Sequence, residues 1–202
     1  MGAQLLDHYF RAIVETPREQ LAGIILDNRC NRGGYQDDLD YLIGSYLNEK
    51  TEIMKTRYKE GPGRYEYSVW TPYYIFPNTR YHRDITAENI PYVVLCDLNS
   101  VSMGEIEPMT IKAVLPTAHT IGERTHGGTG PLQPSYIDLN YGGPFGDINT
   151  GHYVYTSTFE AQISGKVWEG IGYTPDEIVL RKDYNGNLLP QLDAAFRYIQ
   201  EH

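Results

Sequence analysis

Apolar residues recur along this chain with two different periods, and the switches between them outline alternating helices and strands. Leu5, Leu6, Tyr9, Phe10 and Ile13 fall three or four residues apart, which predicts an amphipathic helix over 4–16. An unbroken apolar run over 21–27 ends in Asp27 and reads as a strand buried on both faces. A polar loop over 28–34 follows. A second helix over 36–47 carries Leu39, Leu42, Ile43, Tyr46 and Leu47 on its apolar side. Segments 51–58 and 64–70 alternate like strands, and Gly61-Pro62-Gly63 between them predicts a hairpin. The stretch 71–89, rich in Pro and Tyr, reads as irregular.

The second half repeats the strand and helix alternation. Segment 91–96 is a buried strand, and 103–115 a helix in which Pro108 removes one backbone bond and bends the helix or delays its start. A short strand over 119–122 leads into a glycine-rich loop at 127–131. Segments 136–139, 153–158 and 161–164 look extended, with turns at Gly142-Gly143 and 149–151. A strand over 177–181 and a helix over 191–200 close the chain. Strands and helices that alternate through the middle argue for an α/β layered core, a central buried sheet flanked by helices with additional β-hairpins. Ligand sites in such sheets gather beyond the carboxyl ends of the strands.

Composition narrows the classes. The chain has 202 residues, enough for one domain with a real core and no disulfide staples. A formal net charge of −9 gives nothing to counterion release, so nucleic acid is not an expected partner. No apolar run is long enough for a membrane span, and no basic-then-apolar leader precedes the first helix. The two cysteines, Cys30 and Cys96, form no zinc-type spacing, so neither metal nor other cofactor is expected, and whether they pair is open. The 18 tyrosines fit a core, a groove or a wet surface equally well.

Four segments hold candidate chemistry. In Asp97-Leu-Asn-Ser-Val-Ser102-Met-Gly-Glu105 a strand ends, a tight loop follows and a helix begins. Ser102 there projects from the top of the sheet, and the Met103 N–H opens a helix whose free amides favour a developing oxyanion. The blander reading is a helix cap, Ser102 with Glu105 as a capping box. In Asp27-Asn-Arg-Cys-Asn-Arg-Gly33-Gly34 the paired glycines let a backbone approach a substrate closely, or simply make a turn. The third segment, 122–130, carries His126, either a base or a surface side chain. The fourth runs from Trp168-Glu169-Gly to Pro175-Asp176, a turn and a solvated acid when taken alone.

Taken in order, these segments resemble the C-terminal-processing (tail-specific, tricorn-core-like) serine peptidase family. Its signature reads D-x-R-x-N-x-G-G, S-x-S-x-x-E, G-E-x-T-x-G, then E-x-x-G-x-x-P-D. The matching positions are Asp27, Arg29, Asn31, Gly33 and Gly34; Ser100, Ser102 and Glu105; Gly122, Glu123, Thr125 and Gly127; Glu169, Gly172, Pro175 and Asp176. The resemblance implies a crotonase and caseinolytic-protease-like fold. It also implies a serine endopeptidase acting on polypeptide segments or C-terminal regions through an acyl-enzyme on Ser102. Met103 with Gly33 or Gly34 would form the oxyanion hole, and no cofactor is needed.

The family resembles two mechanistic branches. In the serine–lysine branch a lysine follows G-E-x-T-x-G, but Gly128 stands there, and Lys112 sits ten positions along the helix from Ser102. The resemblance therefore points to the Ser-His-Glu branch, with Glu169 as the glutamate. That branch takes its histidine from a region ahead of the core and of a PDZ-like domain. The expectation is a catalytic core over 1–202 whose histidine lies elsewhere, with His126 as the local substitute. Family likeness suggests the bacterial cell envelope, while homo-oligomerisation stays open. Two rivals share the fold: a catalytically silent peptide- or lipid-binding module, as in retinoid-binding repeats that resemble this family, and an acyl-CoA enzyme.

Overall fold

The computed structural model describes residues 2–130, 143–147, 149–181 and 189–202. Its centre is a parallel sheet in the order β1 (Ile24–Asp27), β4 (Tyr92–Cys96), β5 (His119–Gly122), β10 (Glu177–Ile178). A second, antiparallel sheet runs β3 (Thr71–Ile75), β2 (Thr51–Tyr58), β8 (Phe159–Ile163), β9 (Lys166–Val167). β6 (Gly143–Asp147) and β7 (His152–Thr156) form a separate hairpin. The expected mixed α/β core with a flanked sheet is what the chain adopts.

Strand β4 shows why the layers form. All five of its residues are buried, so the strand must be covered on both sides. Tyr92, Val94 and Cys96 join the larger core with α1 (Gly2–Glu15), α2 (Gln36–Gly44) and α3 (Met103–Val114). Val93 and Leu95 point the other way, to Ala194 and Ala195 of α4 (Pro190–Glu201). This is the period-2 alternation of a strand between two layers. Helix α3 packs between the two sheets. Arg83, nearly buried, anchors the end of α1 by donating to the carbonyls of Ile13 and Thr16 while pairing with Glu88.

Several expectations are corrected. The run 21–27 forms a strand only from Ile24, and it is an edge strand: Ile24 is buried, Ile25 and Leu26 are half-buried and Asp27 is exposed. Segment 64–70 is not the partner of β2. It is a wide loop touching the strand through the Lys59–Tyr67 bridge, with the Arg57 guanidinium 4.4 and 4.6 Å from the Tyr67 and Trp70 ring centres. The true partner is β3, inside the stretch read as irregular. Pro72 disguises it, yet β3 is an edge strand, where a missing N–H donor is tolerated. The second helix stops at Gly44 rather than Leu47, and the late strand is Glu177–Ile178 only. The predicted strand at 136–139, Gly142 of the predicted turn and Pro131 lie outside the described residues.

Pro108 neither delays α3 nor ends it: the helix begins at Met103 and runs through. The carbonyl that a normal residue 108 would bond is Gly104 O, and the buried Asn28 side chain donates to it at 2.6 Å instead. Asn28→Ala should therefore strip a buried acceptor and lower stability by about 1–3 kcal/mol. In the Pro108→Ala background, where a helical N–H can return to Gly104 O, the same substitution should cost measurably less. A double-mutant cycle by urea denaturation reads this coupling, and additive effects would refute it.

Candidate active site

Three loops leave the carboxyl ends of adjacent parallel strands: 28–35 after β1, 97–102 after β4 and 123–130 after β5. The first loop is tied to strand β4 by Asn28 N–H to Leu95 O at 3.0 Å and to the second loop by Val101 N–H to Asn31 O at 3.0 Å. Other backbone bonds stitch the second to the third, Ser102 N–H to Gly128 O at 2.8 Å and His126 N–H to Ser100 O at 3.1 Å. The fourth segment joins through Gly170 N–H to Gly127 O at 2.7 Å and Thr125 N–H to Tyr173 O at 2.9 Å. All four motif segments thus converge on one place.

The two serines of 97–102 have different jobs. Ser100 is fully buried; its hydroxyl donates to Asn28 O at 3.0 Å and accepts from Asp97 N–H at 3.1 Å. Asp97 is buried as well. Desolvation opposes its charge, but the bonds it accepts from Cys30 and Asn99 N–H and the nearby Arg181 outweigh it, holding the carboxyl below its usual range. Ser102 stands at the helix entry with φ 59° and ψ −126°, and its side chain makes no capping bond. An L-residue in that conformation stores about 1–3 kcal/mol of strain and is found where a side chain must be aimed. The helix-cap explanation of Ser102 therefore does not hold.

Space around Ser102 is cleared by glycine. A Cβ on Gly33, itself at φ +98°, would lie 2.8 Å from Ser102 Cβ and 3.1 Å from its Oγ. One on Gly104 would sit 2.1 Å from Asn31 O, so only glycine lets the start of α3 seat on the first loop. The Met103 and Gly34 N–H groups make no hydrogen bond among the described residues, whereas Gly33 N–H donates to Asn31 Oδ1 at 3.0 Å. Of the two glycines expected to serve an oxyanion, Gly34 has the free donor.

Glu105 is no capping box either. Its carboxylate is fully buried and accepts from Thr125 Oγ1, from Gly127 N–H at 2.6 Å and from Gly128 N–H at 2.6 Å. It fixes the glycine-rich loop beneath Ser102. Glu169 is exposed and accepts from Gly130 N–H at 2.6 Å and Thr129 Oγ1 at 3.0 Å, so it holds the far end of the same loop. His126 is exposed, and among the described residues no hydrogen bond links its ring to Ser102 or Glu169. Lys112 is committed elsewhere, donating to Ala118 O at 2.7 Å and Asp176 at 2.9 Å. Cys30 and Cys96 are free thiols, one exposed and one buried.

Sequence reasoning passed over a cavity of about 360 Å³ beside this loop cluster. Gly33, Gly34 and Met103 line it, together with Asp38 and Glu107. Glu107 follows Met103 by four residues on α3, a spacing that puts both on one helix face and was the available signal.

Comparison with known proteins follows this geometry. The profile of Peptidase family S41 matches residues 3–179. In overall structure the chain is similar to a protein from Parabacteroides merdae proposed to be a peptidase, at TM-score 0.71 and 24% identity over 90% of this chain and 53% of that one. It is similar to mature CPAF at TM-score 0.68 and 15% identity, over 96% and 47% of the two chains. The photosystem II D1 C-terminal processing protease gives TM-score 0.58 and 19% identity over 91% and 44%. These identities establish a shared fold. The chain spans about half the length of these solved structures.

The strain at Ser102 has a thermodynamic signature. Ser100→Ala should cost about 1–3 kcal/mol because buried partners lose their bond. Ser102→Ala should stay within about 0.5 kcal/mol, and Ser102→Gly should stabilise by about 1 kcal/mol by relieving the positive φ. Urea unfolding of the three variants checks this. A loss of about 1 kcal/mol in Ser102→Ala would return that residue to the role of a helix cap.

Proposed function

The chain belongs to Peptidase family S41, and on that premise we propose that it is the catalytic core of a serine endopeptidase that cleaves unstructured polypeptide segments or chain ends through an acyl-enzyme on Ser102. The observation that carries this reading is the positive-φ serine at a helix entry, with glycine cleared around its Oγ and two amides, of Met103 and Gly34, that make no hydrogen bond among the described residues. In this mechanism Ser102 Oγ attacks the scissile carbonyl carbon and gives up its proton to a base. The carbonyl oxygen becomes an oxyanion held by Met103 and Gly34 N–H. As the tetrahedral adduct collapses, the C–N bond breaks and the leaving amine takes the proton back. Water then hydrolyses the ester by the same route.

The base is assigned to a histidine outside residues 1–202, with His126 as the local substitute. Glu169 serves in this reading through the loop that it pins. Residues 1–202 are taken as a single core domain, and the bacterial cell envelope remains part of the proposal on family resemblance alone. One observation favours a second reading, a catalytically silent binding module: among the described residues no histidine or lysine side chain is hydrogen-bonded to Ser102.

Labelling of the native protein that contains this chain with a fluorophosphonate separates the two. Ser102→Ala is expected to abolish labelling and proteolysis. His126→Ala is expected to retain labelling, since the base lies elsewhere; its loss would assign the base to His126. A folded native protein that never labels would overturn the peptidase reading in favour of the binding module.

A further inference from the structure

We infer that the cavity beside Ser102 receives the side chain on the acyl side of the scissile bond, and that Asp38 and Glu107 make it select lysine or arginine there. This rests on the serine-peptidase reading above. The placement follows from the oxyanion geometry. A carbonyl carbon bonded to Ser102 Oγ, with its oxygen at the Met103 and Gly34 amides, carries the substrate Cα one bond away. The side chain on that Cα must enter whatever space adjoins those amides. Gly33, Gly34 and Met103 line the cavity of about 360 Å³, so the oxyanion cradle and the cavity share a wall.

The rest of the lining sets the chemistry. Leu6 from α1, Leu39 and Leu42 from α2, and Met103 from α3 form an apolar sleeve. Such a sleeve suits the methylene stem of a long side chain. Asp38 on α2 and Glu107 on α3 bring carboxylates to it, while the Asp27 carboxylate is already held by Arg29 at 2.6 Å. No lysine, arginine or histidine lines the cavity among the described residues.

Neither carboxylate is well compensated. Glu107 accepts one bond, from Asn31 Nδ2 at 3.2 Å, and the Asp38 carboxylate makes no hydrogen bond or ion pair among the described residues. Burial pushes the Glu107 carboxyl up to about 7; the Asn31 bond opposes this and the charge of Asp38 adds to it. A cationic head placed between the two would supply the missing counter-charge. An apolar side chain would desolvate both acids without compensation, and an acidic one would be repelled.

The test uses the native protein containing this chain and a set of fluorogenic peptides that differ only in the residue before the cleaved bond: lysine, arginine, leucine or glutamate. Lysine and arginine should exceed leucine in kcat/KM by roughly tenfold or more, with glutamate lowest. Glu107→Gln should reduce the lysine-to-leucine ratio by roughly tenfold. Asp38→Asn, at a half-exposed position in the first turn of α2, should shift it the same way and serves if Glu107→Gln folds poorly. Fluorophosphonate labelling, which carries no such side chain, reports Ser102 separately. If Ser102 labels but leucine is preferred, or the ratio is the same in parent and variants, the cavity assignment is overturned and the peptidase reading stands. If Ser102 does not label and no peptide is cut, both fall.

Discussion

The geometry of the whole site depends on one buried carboxylate. Glu105 lies on the first turn of α3 and has no access to solvent. Its two oxygens are taken up by the Thr125 hydroxyl and the amides of Gly127 and Gly128. The Gly128 carbonyl, on the same loop, receives the Ser102 N–H at 2.8 Å. A chain segment rich in glycine has no side chains with which to hold itself, so its order must be imposed from outside. Thr125 extends the same constraint by accepting the Tyr173 N–H at 2.8 Å, which ties in the fourth motif segment.

Around that anchor the parallel sheet acts as the frame. Three neighbouring strands end at the same level, so their loops meet without any long excursion. Helix α3 enters this junction with its first turn against the first loop, and Gly104 is required by that close approach. Asn28 then plays two roles. It takes over the carbonyl that Pro108 leaves unpaired, and through Asn31 it braces the turn carrying Gly33 and Gly34. The unfavourable backbone of Ser102 is sustained because bonds on both sides over-determine it.

Strain, cleared space and the absence of a capping bond set Ser102 apart from an ordinary helix cap. Gly128 stands where the family resemblance would put the lysine of the serine–lysine branch, and Lys112 is paired with Asp176 at the other end of α3. Glu169 and His126 both border the glycine-rich loop, yet they are not joined to each other or to Ser102 by a hydrogen bond among the described residues.

Much of this was legible along the chain. The α/β class, the burial of 91–96, the helix after Ser102 and the motif order that names the family rest on local periodicity and spacing, which sequence displays directly. Other features depend on which parts of the chain become neighbours. Pro72 hid β3 because its tolerance there arises from an edge position that sheet order alone creates. The aromatic run 64–70 looked like a strand because its alternation is real, but Tyr67 and Trp70 lie against Arg57 instead. Ser100 and Ser102 are equivalent in a motif; only the fold buries one and strains the other. Glu105 read as a cap because its partners lie twenty and more residues away. Local pattern was enough for the layered α/β class, the main helices and buried strands, the family and the candidate nucleophile. Tertiary structure alone decided which amide is free, which carboxylate holds the loop and which acids face the cavity, because each depends on contacts between segments far apart in the chain.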